Sequence, residues 1–233
     1  PAWRILVQNF GRSSVATPAR IQACAWRIIA AREKGYHVVA VVSALGDTTD
    51  ELIELARQVS EEPSRREMDA LLSTGELVSR ALMAMAIESL GHPAISLSGS
   101  QAGIMTDDTH TKARILYIDT TRLRQELENG RIVIVAGFQG MNANSDVTTL
   151  GRGGSDTSAV ALAAALKAEA CEIYTDVDGI YTADPRVVPN ARKLADISYG
   201  EMLEMASLGA LVLQPRAVEF AAQFGIQVHV RSS

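Results

Sequence analysis

Cysteine and histidine are scarce: two and four residues in a chain of 233. Cys24 and Cys171 stand far apart in apolar stretches, which favours two buried thiols in a reducing compartment over a disulfide. His37, His92, His110 and His229 are scattered over different segments, so they read as structural or surface residues, and no His/Cys spacing suggests a metal site. Positive charge is also short. Lys and Arg number 22 against 27 Asp and Glu, with no basic cluster to follow a phosphate backbone, so nucleic acid is not an expected partner. No unbroken apolar run approaches the roughly 18 residues of a membrane span, and Pro1-Ala2-Trp3-Arg4 lacks a charged-then-apolar signal. A cytoplasmic protein without membrane contact is the expectation. Repeats, low-complexity tracts, charge blocks and Pro/Ser-rich linkers are missing too, which predicts one domain over 1–233.

What is present is a core: 47 % of the residues are hydrophobic. Strand-like runs at Ile5–Phe10, His37–Ser43, Ala94–Leu97, Ile132–Ala136, Ala170–Thr175 and Gln227–Val230 alternate with helix-period segments. The helical segments are Pro18–Lys34, Thr49–Ser60, Arg65–Leu90, Thr120–Asn129, Ser155–Lys167, Ser198–Leu208 and Pro215–Phe224. Continuous rather than alternating apolar strands predict an α/β fold: an open, mainly parallel sheet with helices on both faces. Pro18 and Pro215 suit first helical turns, and Gly35, Gly91, Gly130 and Gly225 fall where helices should stop. Met83, Met85, Met202 and Met205 recur at helical intervals and are read as packing residues. The polar, glycine-rich stretch from Gly137 to Gly154 is too long for an ordinary connection and reads as a functional loop.

Three strand-to-helix junctions hold the candidate chemistry, because ligands of open parallel sheets bind at the carboxyl ends of strands. The first, Asn9-Phe10-Gly11-Arg12-Ser13-Ser14-Val15, offers small residues before a helix, a weak signal for an anion loop. The second runs from Thr148 to Ala159 into an alanine-rich helix. There three glycines free the backbone, Arg152 supplies a bidentate fork for a carboxylate or phosphate, and Ser155 or Asp156 is expected to cap the helix. It does not match the common nucleotide-binding P-loop. The third, Tyr174 to Arg186, is acidic; Asp178-Gly179 and Asp184-Pro185 are turn signals, while Thr175 and Asp176 end a strand at the binding edge. Tyr181 and Arg186 are placed to face a base and a phosphate.

Together these strings resemble the aspartokinases, of the amino-acid-kinase family, from about Ile5 to Ser233. Val42-Ser43-Ala44-Leu45-Gly46-Asp47-Thr48-Thr49-Asp50, Ser73-Thr74-Gly75-Glu76, Thr149 to Asp156, Thr175 to Arg186 and Gln214-Pro215-Arg216 stand in that family's order and spacing. Sister kinases of glutamate, acetylglutamate, carbamate and UMP share the fold but match less well. The resemblance implies transfer of the γ-phosphoryl of MgATP to the β-carboxylate of L-aspartate. It implies an aspartate pocket of Ser43, Thr49, Glu76 and Arg152, with Arg152 on a carboxylate and Glu76 on the α-ammonium. From the residues alone, a solvated charge near a helix start is the simpler reading of Glu76. The resemblance also puts Gly11, Ser13 and Ser14 near the transferred phosphate, backbone donors at Gly153, Gly154 and Ser155, and Thr175, Asp176, Tyr181 and Arg186 around the nucleoside and inner phosphates. Mg2+ would be held mainly through the nucleotide phosphates. A homodimer, a place in lysine, threonine and methionine biosynthesis, and regulation by an ACT-type module that is not among these residues complete what the resemblance implies.

Two departures bear on catalysis. The family's opening Lys-Phe-Gly-Gly-Thr-Ser-Val is here Asn9-Phe10-Gly11-Arg12-Ser13-Ser14-Val15, and a second family lysine, on the nucleotide phosphates, is replaced by Leu211. Asp156, which in the family holds the first lysine, is retained, so Asp156, Asn9 and Arg12 are the catalytic candidates. Arg12 could replace part of the missing charge or obstruct the phosphates, and an arginine in place of glycine restricts the loop backbone. The expectation is an aspartokinase fold and aspartate pocket with strongly reduced ATP-dependent turnover. The alternatives are a non-catalytic aspartate-binding or regulatory subunit and a kinase of another small acid.

Overall fold

The computed structural model describes residues 3–151, 153–176, 180–181, 193–207, 213 and 215–232, with 180, 181, 203 and 205–207 described in their backbone alone. Arg152, Arg186 and Leu211, the side chain of Tyr181, and Met205 as a packing residue therefore lie outside the description.

The six expected strands form one parallel sheet. They are β1 (Ile5–Phe10), β2 (His37–Val42), β3 (Ala94–Leu97), β6 (Ile132–Ala136), β9 (Ala170–Thr175) and β12 (Val228–Ser232), in the spatial order β12-β9-β1-β2-β6-β3. Alternation sends successive side chains to opposite helical layers. Leu6 and Phe10 of β1 join Val38, Ala40 and Val42 of β2 against α1 (Pro18–Glu33) and α4 (Thr74–Ser89), where Ile28, Ile29, Met83 and Ile87 are buried. Val7, Val39 and Val41 face the other layer, built from α5 (Thr121–Glu128), α6 (Gly154–Leu166) and α8 (Pro215–Phe224). Covering on both faces is why these strands read as unbroken apolar runs. The helix α7 (Tyr199–Ser207) adds Met202 to that second core. Both cysteines are buried free thiols, and Met83 and Met202 pack in the core, whereas Met85 is 62 % exposed.

Several sequence boundaries are corrected. The stretch 65–90 is two helices, α3 (Arg65–Leu72) and α4, following α2 (Thr48–Val59). A Ser-x-x-Glu cap starts α3: the Ser64 hydroxyl accepts from the Glu67 N–H at 3.4 Å. At the junction Ser73 and Thr74 hydroxyls donate to the carbonyls of Ala70 and Leu71, at 3.0 and 2.7 Å, and Gln139 Nε2 donates to the Ser73 carbonyl at 2.9 Å. Such bonds compete with the helix ladder and turn the chain there. A Cβ on Gly75 would stand 2.8 Å from the Ala44 Cβ, so only glycine lets α4 approach the end of β2 this closely. Taken as one stretch, Arg65–Ser89 carries a window of mean hydropathy 1.3, which by length and composition suffices for a span although no unbroken apolar run does. Yet 44 % of that window is buried inside the protein, and its buried side includes Glu76 and Ser79.

The presumed long loop at 137–154 is largely a hairpin, β7 (Gln139–Met141) paired with β8 (Val147–Thr149). With β4 (Ile104–Thr106) and β5 (Ile115–Ile118) it makes a second sheet, ordered β5-β4-β7-β8. Three- and four-residue strands carry too little period to be seen in sequence. A two-stranded pairing of β10 (Ile180–Tyr181) with β11 (Lys193–Leu194) was missed for the same reason.

Candidate functional site

The carboxyl ends of β1 and β2 meet the start of α6, and polar side chains converge there. Asn9 is fully buried; its Nδ2 donates to Asp156 Oδ1 at 2.7 Å and lies 3.4 Å from Ser155 Oγ, while its Oδ1 has no partner among the described residues. Ser43, at the end of β2, donates its hydroxyl to Ser155 Oγ at 2.9 Å. Its carbonyl accepts from Ser79 Oγ at 2.6 Å. Neither Ser155 nor Asp156 caps α6, which corrects the expectation. The cap position is Gly153, left-handed at φ +72°, and it makes no side-chain cap bond. The two side chains are thereby left in the first turn, turned toward the strand ends.

Glu76 opens α4 beside this cluster and is 3 % exposed, so it is not a solvated charge. Burial pushes its carboxyl up to about 8, and backbone N–H bonds, its own and that of Ala44, only partly counter this. Its Oε2 has no partner among the described residues. Asp156 is half-buried as a whole residue, but its carboxyl is enclosed. Burial raises it to about 7 against the lowering effect of the Asn9 bond. Two enclosed carboxyls with no cation bonded to either among the described residues form an arrangement that a cationic ligand group would satisfy.

Other expected residues are placed less directly. The Gly11 N–H and the Ser14 hydroxyl both donate to the Tyr174 carbonyl, at 3.1 and 3.4 Å, and Ser14 is buried, so these groups brace the first loop against β9. Ser13 is half-buried, and its carbonyl accepts from Arg20. Arg12 is exposed and pairs with Asp50 of α2 at 3.5 Å; its φ is not positive, so the loop accepts it without left-handed strain. Thr49 lies half-buried in the first turn of α2, and Gly153, Gly154 and Ser155 form the start of α6. Thr175 donates to Asp176 Oδ1 at 3.0 Å at the end of β9. Ser79, Asp69 and Gln139 were not foreseen. Ser79 was the most legible, three residues after Glu76 and so on the same helical face. A cavity of about 640 Å³ along β12, lined by Arg27, Tyr199, Met202 and Arg231 among others, shares none of the candidate residues.

The raised Asp156 carboxyl carries a stability consequence. The folded protein holds this proton up to about pH 7, while the unfolded chain releases it near 3.8, so stability falls as pH rises through that window. Asp156→Asn retains the acceptor for Asn9 and removes the ionisation. After allowance for solvent screening, the variant should gain about 2 kcal/mol over the parent at pH 8 relative to pH 5, measured by denaturant unfolding. Equal stability differences at the two pH values would show that Asp156 ionises normally.

Against known proteins, residues 4–232 match the model of the amino acid kinase family. The chain is 61 % identical to an aspartokinase of Geobacillus stearothermophilus over 229 residues, covering 98 % of this chain and 56 % of that protein. It is 60 % identical to an aspartokinase of Mycolicibacterium smegmatis, again over 98 % of this chain and 55 % of the relative. The chain thus spans about half the length of the aspartokinases it matches. Among solved structures, E. coli aspartokinase III in complex with aspartate and ADP superposes with a TM-score of 0.90 at 30 % identity, covering 98 % of this chain and 62 % of that one. Aspartate kinase from Synechocystis gives 0.87 at 54 % identity, covering 98 % and 37 %. With a parallel sheet covered on both faces, polar groups gathered at its strand ends and a family match along almost its whole length, the chain belongs to the amino acid kinase family.

Proposed function

We propose that this domain binds L-aspartate and MgATP and transfers the γ-phosphoryl group to the aspartate β-carboxylate, with turnover held low by Asn9 and Leu211. The observation that carries the reading is Glu76: a buried carboxyl with one oxygen unpartnered among the described residues, the complement of an α-ammonium group once it is ionised. Relatives named aspartokinase at about 60 % identity, and a similar structure in complex with aspartate and ADP, support it. In this reading Ser43 and Thr49 orient the substrate and Arg152 grips a carboxylate. Ser13 and the start of α6 approach the transferred phosphate, and Thr175, Asp176, Tyr181 and Arg186 hold the nucleotide. In this reading Mg2+ enters on the nucleotide phosphates.

Phosphoryl transfer asks the protein for alignment and charge neutralisation rather than covalent chemistry. Asn9 can orient Asp156 but brings no positive charge, which also favours the second reading, an aspartate-binding regulatory subunit. A homodimer is part of the proposal. Val78, Leu82 and Met85 form an exposed apolar stripe on one side of α4, suited to a second copy. So are a cytoplasmic setting and a place in the biosynthesis of aspartate-derived amino acids. The test is ADP release with MgATP, with and without aspartate, beside calorimetry with each ligand. Aspartate-dependent ADP release below about 0.1 per second is expected, and turnover on the order of 10 per second would refute the low-turnover claim. Aspartate binding without nucleotide binding would favour the regulatory reading.

A further inference from the structure

The Asp69 carboxylate is fully buried in α3, remote in sequence from every strand-end motif. Four bonds converge on it. Thr149 Oγ1 donates to Oδ1 at 2.6 Å, the Thr111 N–H reaches both oxygens at 3.1 Å, and His110 Nδ1 lies 2.7 Å from Oδ2. Hydrogen bonds to a buried carboxylate are among the stronger kind, and their loss strands a charge in the interior. Asp69 thus ties three segments together: α3, the loop at 107–113, and the last residue of β8.

The chain leaving β8 is restrained at each step up to Gly151. The Thr149 carbonyl accepts from the Ala113 N–H at 3.0 Å, and the Leu150 N–H donates to the Phe138 carbonyl at 2.9 Å. Arg216 Nη1 donates to the Ala113 carbonyl at 2.9 Å. Gly151, at φ +81°, packs so closely on the Thr111 carbonyl that a Cβ would lie 3.0 Å from it. Thr111 is itself left-handed at φ +71°, and its N–H is the one that Asp69 fixes. At its other end α3 passes through Ser73 into Glu76. Asp69 therefore braces the spacing between Glu76, at the start of α4, and the backbone at 149–151, which precedes Arg152 in the sequence.

We infer that Asp69, with Thr149 and His110, is a positioning group for amino-acid substrate: it sets the loop at 149–151 relative to Glu76, without touching ligand. The inference rests on the proposed aspartate pocket. Calorimetry on the folded chain, with aspartate and separately with a non-hydrolysable MgATP analogue, tests it on Asp69→Asn, Thr149→Val and Thr149→Ser. Asp69→Asn and the near-isosteric Thr149→Val should weaken aspartate at least about tenfold and leave the nucleotide within about twofold, while Thr149→Ser restores aspartate affinity. Unchanged aspartate affinity in both weakened variants overturns the inference. So does parallel loss of both ligands with a lowered unfolding temperature, the mark of a merely structural buried acid. If the unaltered chain binds no aspartate, the functional reading itself has failed and this inference goes with it.

Discussion

Asn9→Lys combined with Leu211→Lys should raise aspartate-dependent ADP release by at least about a hundredfold, read in single-turnover experiments. In the present chain Asn9 donates to Asp156 from the buried end of β1 and offers only an amide dipole. An ammonium at the same position would find Asp156 as its counter-ion, favour the ionised carboxylate so that its proton passes to solvent, and aim its remaining donors at the phosphoryl oxygens. A single donor aimed at charge that develops in the transition state contributes about 3–4 kcal/mol, a factor of roughly a hundred to a thousand. By that factor Asn9→Lys alone should already give about a hundredfold gain. It should also restore an ionised Asp156, so the pH-dependent stability difference between parent and Asp156→Asn should shrink in that background. A double variant that binds both ligands and turns over no faster would show that the missing lysines do not limit the rate.

The central sheet was legible because each strand is buried on both faces. Val38 to Val42 carry their information in five consecutive residues, and no tertiary partner is needed to read them. The small sheet was not, since Gln139–Met141 and Val147–Thr149 are three residues each and owe their pairing to one another. At the candidate site, Asn9, Ser43, Glu76, Ser155 and Asp156 are singled out by their motifs, and all stand at neighbouring strand and helix ends. Their electrostatic state could not be read. Nothing local distinguishes a solvated Glu76 from one enclosed by α4 and the end of β2, and Ser155 and Asp156 look like caps until Gly153 takes that place. Arg12 illustrates the same limit: its motif position says nothing of the Asp50 carboxylate on α2, 3.5 Å from its guanidinium. Asp69 was invisible because its partners lie about forty and eighty residues away in sequence.

Glu76 makes a sharper prediction about affinity than any residue near the phosphoryl group. In the free protein its carboxyl is pushed up to about 8, so near neutral pH it is mostly protonated. An α-ammonium needs the ionised form, and binding aspartate below pH 8 must expel that proton. Aspartate affinity should therefore rise with pH, by up to about tenfold per unit between about 6 and 8, and level off above. Glu76→Gln should abolish this dependence. At pH 8.5 it should weaken aspartate roughly thirtyfold to a thousandfold, the cost of truncating a buried charge pair, and the gap to the parent should close toward pH 6. Succinate, which keeps both carboxylates and lacks the amine, separates this from a general loss of the pocket. Its affinity should not improve with rising pH, and Glu76→Gln should leave it intact, whereas Arg152→Gln should weaken both ligands. Isothermal titration in buffers of different ionisation enthalpy would count the proton directly: one released per aspartate at pH 7 in the parent, and none in Glu76→Gln. If Glu76→Gln binds aspartate like the parent at every pH, the ammonium is held elsewhere, and the buried carboxyl belongs to the fold rather than to the ligand.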